Sequence, residues 1–283
     1  MVQLIANAAD NLEGMTLDSG WKVTKKILKS DKATGSFFSV CYIVEKNGET
    51  CFMKTFDFAK FFQVTNSTRV VDVIAEMTNA YVYERDLSAL CQSSHVTKVS
   101  FVKDSGEQMV PGYTITLVPY LIFDLADGDV RNRLNMVNDL DFAWKLYSLH
   151  SLAIGLKQLH NIGVSHQGLK PSNVLLFKEE SKIGDLGRSV CSAIDTPLKS
   201  MSFSGDYSYA PPEILYGYYE PDFKKRMFVS DCYLLGSMAV FYFSGISMSA
   251  LLGKHIEPNL SWVNGQEHTK MLKGICYKHM RKP

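Results

Sequence analysis

The stretch SHQGLKPSNVLL, residues 165–176, collects polar side chains of the kinds that catalytic loops use. His166 can take up a proton, Lys170 carries a positive charge, and Asn173 offers both an amide oxygen and an amide nitrogen. Gly168 lies between them and has no side chain that can accept a proton. The loop therefore has the composition of a catalytic site that lacks a proton-accepting side chain at position 168.

Other catalytic constellations are missing from the sequence. It has no G-x-S-x-G, no H-E-x-x-H and no G-K-[ST] phosphate loop, and residues 253–255 (GKH) fail the last of these. The six cysteines form no C-x-x-C pair, so the paired-cysteine pattern of zinc sites is absent from the sequence. Reduced, mostly buried thiols predict a cytosolic or nuclear compartment. The N-terminus has neither a basic start nor a long apolar run, so we do not expect a signal peptide.

The composition is that of an ordinary globular protein. The 283 residues are 46% hydrophobic and 21% charged, and the net charge of +1 argues against a bulk binder of nucleic acid or membrane surfaces. One stretch, Cys232 to Gly253, has no charge and is as long as a membrane span. Asp231 opens it, and serines and glycines interrupt it. We interpret it as a buried core helix with the loop that follows.

The N-terminal third of the chain predicts strands. VCYIV (40–44) and TCFMKTF (50–56) are rich in β-forming residues, and Asn47-Gly48 between them is a hairpin signal. GYTITLVPYLIF (112–123) predicts a further strand that ends near Pro119. Apolar residues at helical spacing predict a helix over 69–91 between these strands.

The remainder of the chain predicts mostly helices. A helical pattern runs from residue 140 and stops at Asn161 and Gly163. The order of elements predicts an α+β fold with two lobes in a single domain over 1–283, the N-lobe about 1–120 and the C-lobe about 121–283.

Six motifs in chain order resemble those of protein kinases. Residues 166–173 resemble the catalytic loop H-R-D-L-x-x-x-N, and 185–187 (DLG) resemble D-F-G. Residues 205–213 resemble G-T-x-x-Y-x-A-P-E, and DCYLLG from Asp231 resembles D-x-W-x-x-G. Residues 51–54 occupy the V-A-I-K place and 33–40 the glycine-rich loop. The resemblance implies a protein kinase fold, with a C-terminal part too short for all of the family's last helices.

Three shorter segments resemble the vaccinia-related kinases, a branch near the casein kinase 1 group. They are NAYVYER (79–85), YTITLVPYLIFDL (113–125) and SHQGLKPSN (165–173). This finer resemblance is to a poxvirus paralogue of the viral kinase that has lost catalytic residues.

The resemblance implies that the catalytic machinery is degenerate. Gly168 stands where the catalytic aspartate belongs, and of the three glycine positions of the phosphate loop, Ala33, Gly35 and Phe38, only Gly35 is a glycine. Phe52 replaces the alanine that lies against adenine, and we expect its ring to fill the adenine pocket.

Other family positions are retained. Lys54 matches the phosphate-pairing lysine, and Asn173 and Asp185 match the metal ligands. We interpret all three as residues retained for hydrogen bonds that hold the loops, and not for a working metal site. Glu76 and Glu84 lie on the predicted helix, but the subfamily alignment places Asn79 where the glutamate partner of the lysine belongs. The resemblance gives structural roles to three further residues, and these are His166, Glu213 and Asp231.

We therefore predict a pseudokinase that binds proteins, with no catalytic residue, cofactor or metal. The alternatives are a pseudokinase that still binds nucleotide and a weakly active serine/threonine kinase. The expected partners are active vaccinia-related kinases, viral or host, and their substrate the barrier-to-autointegration factor, in the host nucleus and cytoplasm. Direct nucleic-acid and membrane partners are not expected.

Overall fold

A computed structural model describes residues 7–28, 39–58, 69–136, 141–178 and 180–262. The chain forms two compact units, one of Met1–Gly128 with Leu175–Lys178 and one of Asp129–Val174 with Glu179–Pro283. The first unit contains an antiparallel five-stranded sheet of order β1-β2-β3-β5-β4. Its strands are β1 (Lys22–Ile27), β2 (Ser39–Lys46), β3 (Glu49–Phe56), β4 (Val102–Met109) and β5 (Leu117–Asp124).

The hairpin between β2 and β3 turns at the predicted dipeptide. Asn47 and Gly48 both have positive φ, at 52° and 78°. Two left-handed residues in succession are what a type I′ turn requires, and this turn matches the twist of the strands that it joins.

Each face of this sheet packs against its own group of apolar residues. On one face, Tyr42, Met53 and Ile122 pack with residues from the start of the described chain, such as Leu12 and Trp21. On the other face, residues of β3 and β5 pack with the helix α1 (Val70–Ser93). The helix contributes Val73, Met77 and Tyr81 to this second group.

One local expectation for the first unit is wrong. Strand β5 begins at Leu117 rather than at residue 112, and it continues past Pro119 to Asp124. Proline lacks the N–H that a central strand donates; here β3 pairs with β5 only over Tyr120–Asp124, so Pro119 lies beyond that ladder. The first compact unit runs to Gly128, and the lobe boundary near residue 120 stays a prediction.

The chain after β5 is mostly helical, as the sequence predicts. Its helices are α2 (Val130–Met136), α3 (Phe142–Asn161), α4 (Pro212–Leu215), α5 (Phe223–Ser244) and α6 (Met248–His255). Its short strands are β6 (Gly128–Asp129), β7 (Val164–Ser165), β8 (Val174–Phe177), β9 (Glu180–Ile183) and β10 (Val190–Cys191), of which β7 and β10 pair in antiparallel fashion.

Helix α5 contains the first part of the uncharged stretch. Among the described residues it alone is long and apolar enough to cross a membrane. Gly245, at φ 71°, ends it and donates its N–H to the Phe241 carbonyl, and α6 follows after a short loop. The fully buried Asp231 lies within α5 and is hydrogen-bonded to other parts of the second unit. These features are those of a core helix of the second unit.

Candidate active site

In the first unit, Lys54 is paired with a carboxylate from α1. The Lys54 ammonium donates to both carboxylate oxygens of Glu84 at 2.9 Å, and the two side chains are only 13% and 4% exposed. Asn79, which the subfamily alignment places here, is exposed on the same helix, so that expectation is wrong. Lysine on the third strand paired with a helix glutamate is the arrangement that active protein kinases require.

Phe52 lies on the same face of β3 as Lys54, because alternate residues of a strand share a face. It pairs across the strands with Phe123, and the two ring centroids are 6.3 Å apart. Phe52 is partly buried against the apolar group on the α1 side of the sheet. That its ring fills an adenine pocket stays a prediction. The phosphate-loop positions Ala33, Gly35 and Phe38 lie outside the described residues.

In the second unit, Gly168 lies in a closely hydrogen-bonded loop. Its N–H donates to the His166 carbonyl at 2.7 Å, and its carbonyl accepts from the Asn173 side chain at 2.8 Å. A Cβ atom at Gly168 would meet the His166 ring at 3.6 Å and the Asn173 amide nitrogen at 3.7 Å, which are ordinary contact distances. The backbone thus has room for a side chain at the position where the catalytic base is missing.

The carboxylate of Asp231, in α5, is hydrogen-bonded to the backbone at the start of this loop. Its carboxylate accepts the backbone N–H groups of His166 and Gln167, each at 2.7 Å. It also accepts from the Ser165 hydroxyl and the His160 ring at 2.9 Å. A fully buried carboxylate is costly unless its oxygens are hydrogen-bonded, and here both oxygens are.

His166 links the loop to the segment that contains Asp185. Its Nε2 lies 3.1 Å from the Gly184 carbonyl, and the Gly184 N–H donates to the Asn173 carbonyl at 2.8 Å. Complete burial lowers the pKa of His166, and the nearby Asp231 carboxylate only partly opposes this shift. The imidazole is therefore held neutral, as a donor to a carbonyl.

The two retained metal-ligand positions have oxygen donors of the right kind. Asp185 has a carboxylate, and Asn173 retains its amide oxygen although its amide nitrogen is bound to Gly168. Hard cations such as Mg²⁺ prefer such ligands. Asp185 has left-handed backbone geometry, φ 61° and ψ 77°, which is strained for a residue with a side chain. These residues fit a metal by donor type.

Glu213 has a different environment from the other predicted structural residues. It lies exposed on α4, and its carbonyl accepts the Tyr218 N–H at 2.8 Å. Within the described part of the chain its carboxylate forms no ion pair. A structural role for the Glu213 side chain stays a prediction.

Two residues of the site were missed by reasoning from sequence. Gln167 occupies the arginine place of the catalytic loop, is fully buried, and donates to the Ser165 hydroxyl and the Met227 carbonyl at 2.8 Å. Asp206 occupies the threonine place of G-T-x-x-Y-x-A-P-E, and it accepts from Lys170 at 3.0 Å. Both substitutions are visible when the motifs are compared position by position.

The fold and the loop define a protein kinase domain. The family model described as protein kinase domain matches residues 35–251, well over half of the chain, and the chain belongs to this family. Ribosomal protein S6 kinase 2 beta of Xenopus laevis and ribosomal protein S6 kinase alpha-1 of Homo sapiens are each 42% identical over 101 residues, 34% of this chain. The match spans only 15% and 13% of those two proteins.

Solved structures agree on the fold. The crystal structure of the kinase domain of PF14_0431 has a TM-score of 0.61, covers 83% of this chain and 67% of that chain, and is 16% identical. At this identity the likeness concerns the fold alone. The S6 kinases named above are not vaccinia-related kinases, so the finer resemblance depends on the three short segments.

Proposed function

We propose that this chain is a catalytically inactive member of the protein kinase family that acts by binding other proteins. The observation that carries the proposal is Gly168, at the position of the catalytic base. In phosphoryl transfer that base orients the substrate hydroxyl and accepts its proton, and general-base assistance typically contributes about 10²–10⁴-fold to the rate.

The surrounding loop supports this proposal because its scaffold is intact. The bonds of Asp231, His166 and Asn173 keep the backbone of the loop in place although the base is missing. A nearby carboxylate, Asp206, is already engaged by Lys170 and Ser208. A scaffold that is preserved without its chemistry fits a role in which the surface of the fold is used.

The finer form of the proposal names the partner. The resemblance to vaccinia-related kinases favours an active kinase of that group, viral or host, or its substrate, the barrier-to-autointegration factor, in the nucleus and cytoplasm of an infected cell. We favour inhibition, because an inert protein that occupies a shared surface removes productive complexes by mass action. This part depends on sequence resemblance alone.

A test of the partner is a pull-down from infected or transfected cells, with a kinase assay on the captured protein. We expect recovery of a vaccinia-related kinase or its substrate, and a lower rate of kinase activity when this chain is saturating. Heat-denatured bait is the control. Recovery of neither, or an unchanged rate, would contradict the partner and its inhibition while leaving the inactivity of the chain to be judged separately.

A second candidate is a nucleotide-binding pseudokinase or a weakly active kinase. The Lys54–Glu84 pair favours it, since this pair positions ATP phosphates in active kinases. Asn173 and Asp185 also retain oxygen donors suited to Mg²⁺.

Thermal unfolding with nucleotide separates the two candidates. We expect no rise in Tm at millimolar Mg-ATP, because Phe52 stands where the family has the alanine that lies against adenine, and Phe38 stands at a glycine position of the phosphate loop. A ligand that binds only the native state must raise Tm. Lys54→Met is the matched control: a rise of several degrees that this variant abolishes would establish nucleotide binding at this site and favour the second candidate.

A further inference from the structure

Lys170 is a lysine of the catalytic loop that is almost entirely buried. The residue is 6% exposed, and its ammonium lies 3.0 Å from an oxygen of Asp206, whose side chain is 27% exposed. A buried ammonium is costly unless a carboxylate or other acceptors compensate its charge. Asp206 therefore contributes to the stability of the loop conformation in which Lys170 is buried.

Asp206 also organises its own segment, residues 203–209. Its second carboxylate oxygen accepts from the Ser208 N–H at 3.1 Å and from the Ser208 hydroxyl at 2.6 Å, which caps the single turn Tyr207–Tyr209. Burial disfavours the ionised form of Asp206, but the hydrogen bonds from Ser208 and Lys170 outweigh it and hold the pKa of this carboxyl below its ordinary value. The carboxylate is thus charged and fixed between two parts of the chain.

Further contacts hold segment 203–209 in the same place. The Ser204 hydroxyl donates to the Arg188 carbonyl at 2.6 Å, and the Arg131 guanidinium donates to the Tyr209 hydroxyl at 3.1 Å. The Lys170–Asp206 pair is an ionic contact between this segment and the catalytic loop.

Compared with the kinase motifs, this chain lacks a carboxylate at one position and has an additional carboxylate at another. The kinase motifs have an aspartate where this chain has Gly168, and a threonine where it has Asp206. We propose that Asp206 is a charge-compensating residue of the loop: it gives the buried Lys170 the carboxylate that position 168 does not provide, and so holds segment 203–209 against residues 166–173. This rests on the proposed function only in taking Gly168 as the degenerate base position.

A double-mutant cycle on the isolated chain tests whether Asp206 takes the place of the carboxylate that is missing at position 168. Asp206→Asn keeps an oxygen that can cap Ser208 but removes the charge, and we expect it to raise the unfolding equilibrium constant in urea by about 10- to 100-fold. Gly168→Asp places a carboxylate two residues from Lys170, within a backbone span of about 7 Å, and its Cβ has ordinary contacts. In that background we expect Asp206→Asn to cost clearly less, with non-additivity above about twofold.

Two controls make the result specific. Asp195→Asn removes an exposed carboxylate 3.9 Å from Lys199 and is expected to leave stability unchanged. Hydrogen exchange of the Tyr209 and Ala210 amides, which bond within the capped turn, is expected to accelerate in Asp206→Asn and to recover in the double variant.

If Asp206→Asn does not fold, Lys170→Met/Asp206→Asn replaces it, since removing both charges is expected to restore folding. The proposal is overturned if Asp206→Asn unfolds like the wild type, if its cost is the same in both backgrounds, or if the charge-free pair fails to fold as well. None of these measurements uses nucleotide or a partner, so they fail or succeed independently of the proposed function.

Discussion

Replacing Asp231 with alanine is expected to lower the free energy of unfolding by about 3–5 kcal/mol, the scale for losing one partner of a buried charged network. The carboxylate accepts two backbone N–H groups of the catalytic loop, the Ser165 hydroxyl and the His160 ring, and it is fully buried. Alanine leaves the buried backbone N–H groups of His166 and Gln167 without their acceptor, and each unsatisfied buried donor costs about 1–3 kcal/mol.

Urea unfolding followed by circular dichroism measures the effect of Asp231→Ala, and Asp222→Ala is the matched control on the same helix. Asp222 is the exposed N-cap of α5 and accepts the Lys225 N–H at 2.8 Å. Loss of such a cap costs about 1 kcal/mol. Equal losses for the two variants would mean that Asp231 contributes no more than an ordinary cap, against the role that its contacts assign to it.

Elements with local sequence signals could be predicted from the sequence alone. Asn47-Gly48 between two β-rich runs predicts the β2–β3 hairpin, because few other dipeptides adopt two positive φ values easily. Helix α1 follows from apolar residues at helical spacing, and the core character of α5 follows from Asp231 at the start of an uncharged stretch. The kinase fold was predictable because several such signals occur in a fixed order.

Elements that depend on distant contacts were not predictable in the same way. Strand β4 contains Lys103, Asp104, Ser105, Gly106 and Glu107, and no β-rich run marks it. It forms because β5 supplies a hydrogen-bonding partner along its length. A polar edge strand has little local preference of its own, since β propensity depends strongly on context.

The choice of the Lys54 partner shows the same limit within the site. Glu76 and Glu84 are both at positions compatible with a helix, and spacing alone does not say which side chain is buried. In the structure Glu76 is exposed and Glu84 is 3% exposed. Alignment to a subfamily selected Asn79 because it compares residues along the chain, whereas the ion pair depends on which face of α1 meets the sheet.

The second large effect on the free energy of unfolding is expected when the Lys54–Glu84 ion pair is broken. Glu84→Leu is expected to lower the free energy of unfolding by about 3–5 kcal/mol, because it removes the bidentate partner of a largely buried ammonium. In Lys54→Met/Glu84→Leu both charges are absent, and apolar side chains of similar volume replace them. Replacing a buried ion pair in this way is often neutral or stabilising, so we expect the double variant to recover most of the loss.

Urea unfolding of Glu84→Leu, the double variant and an exposed-pair control measures this difference. The control is Asp10→Asn, which breaks the pair with Lys26. The side chains of Lys26 and Asp10 are 29% and 45% exposed, so the loss of this pair is expected to cost less than about 1 kcal/mol.

The double variant also bears on function, because a protein that acts only by binding does not need a lysine that contacts the ATP phosphates. We expect it to capture the same partner as the wild type in the pull-down. Loss of capture in a folded double variant would instead tie the binding function to the nucleotide site.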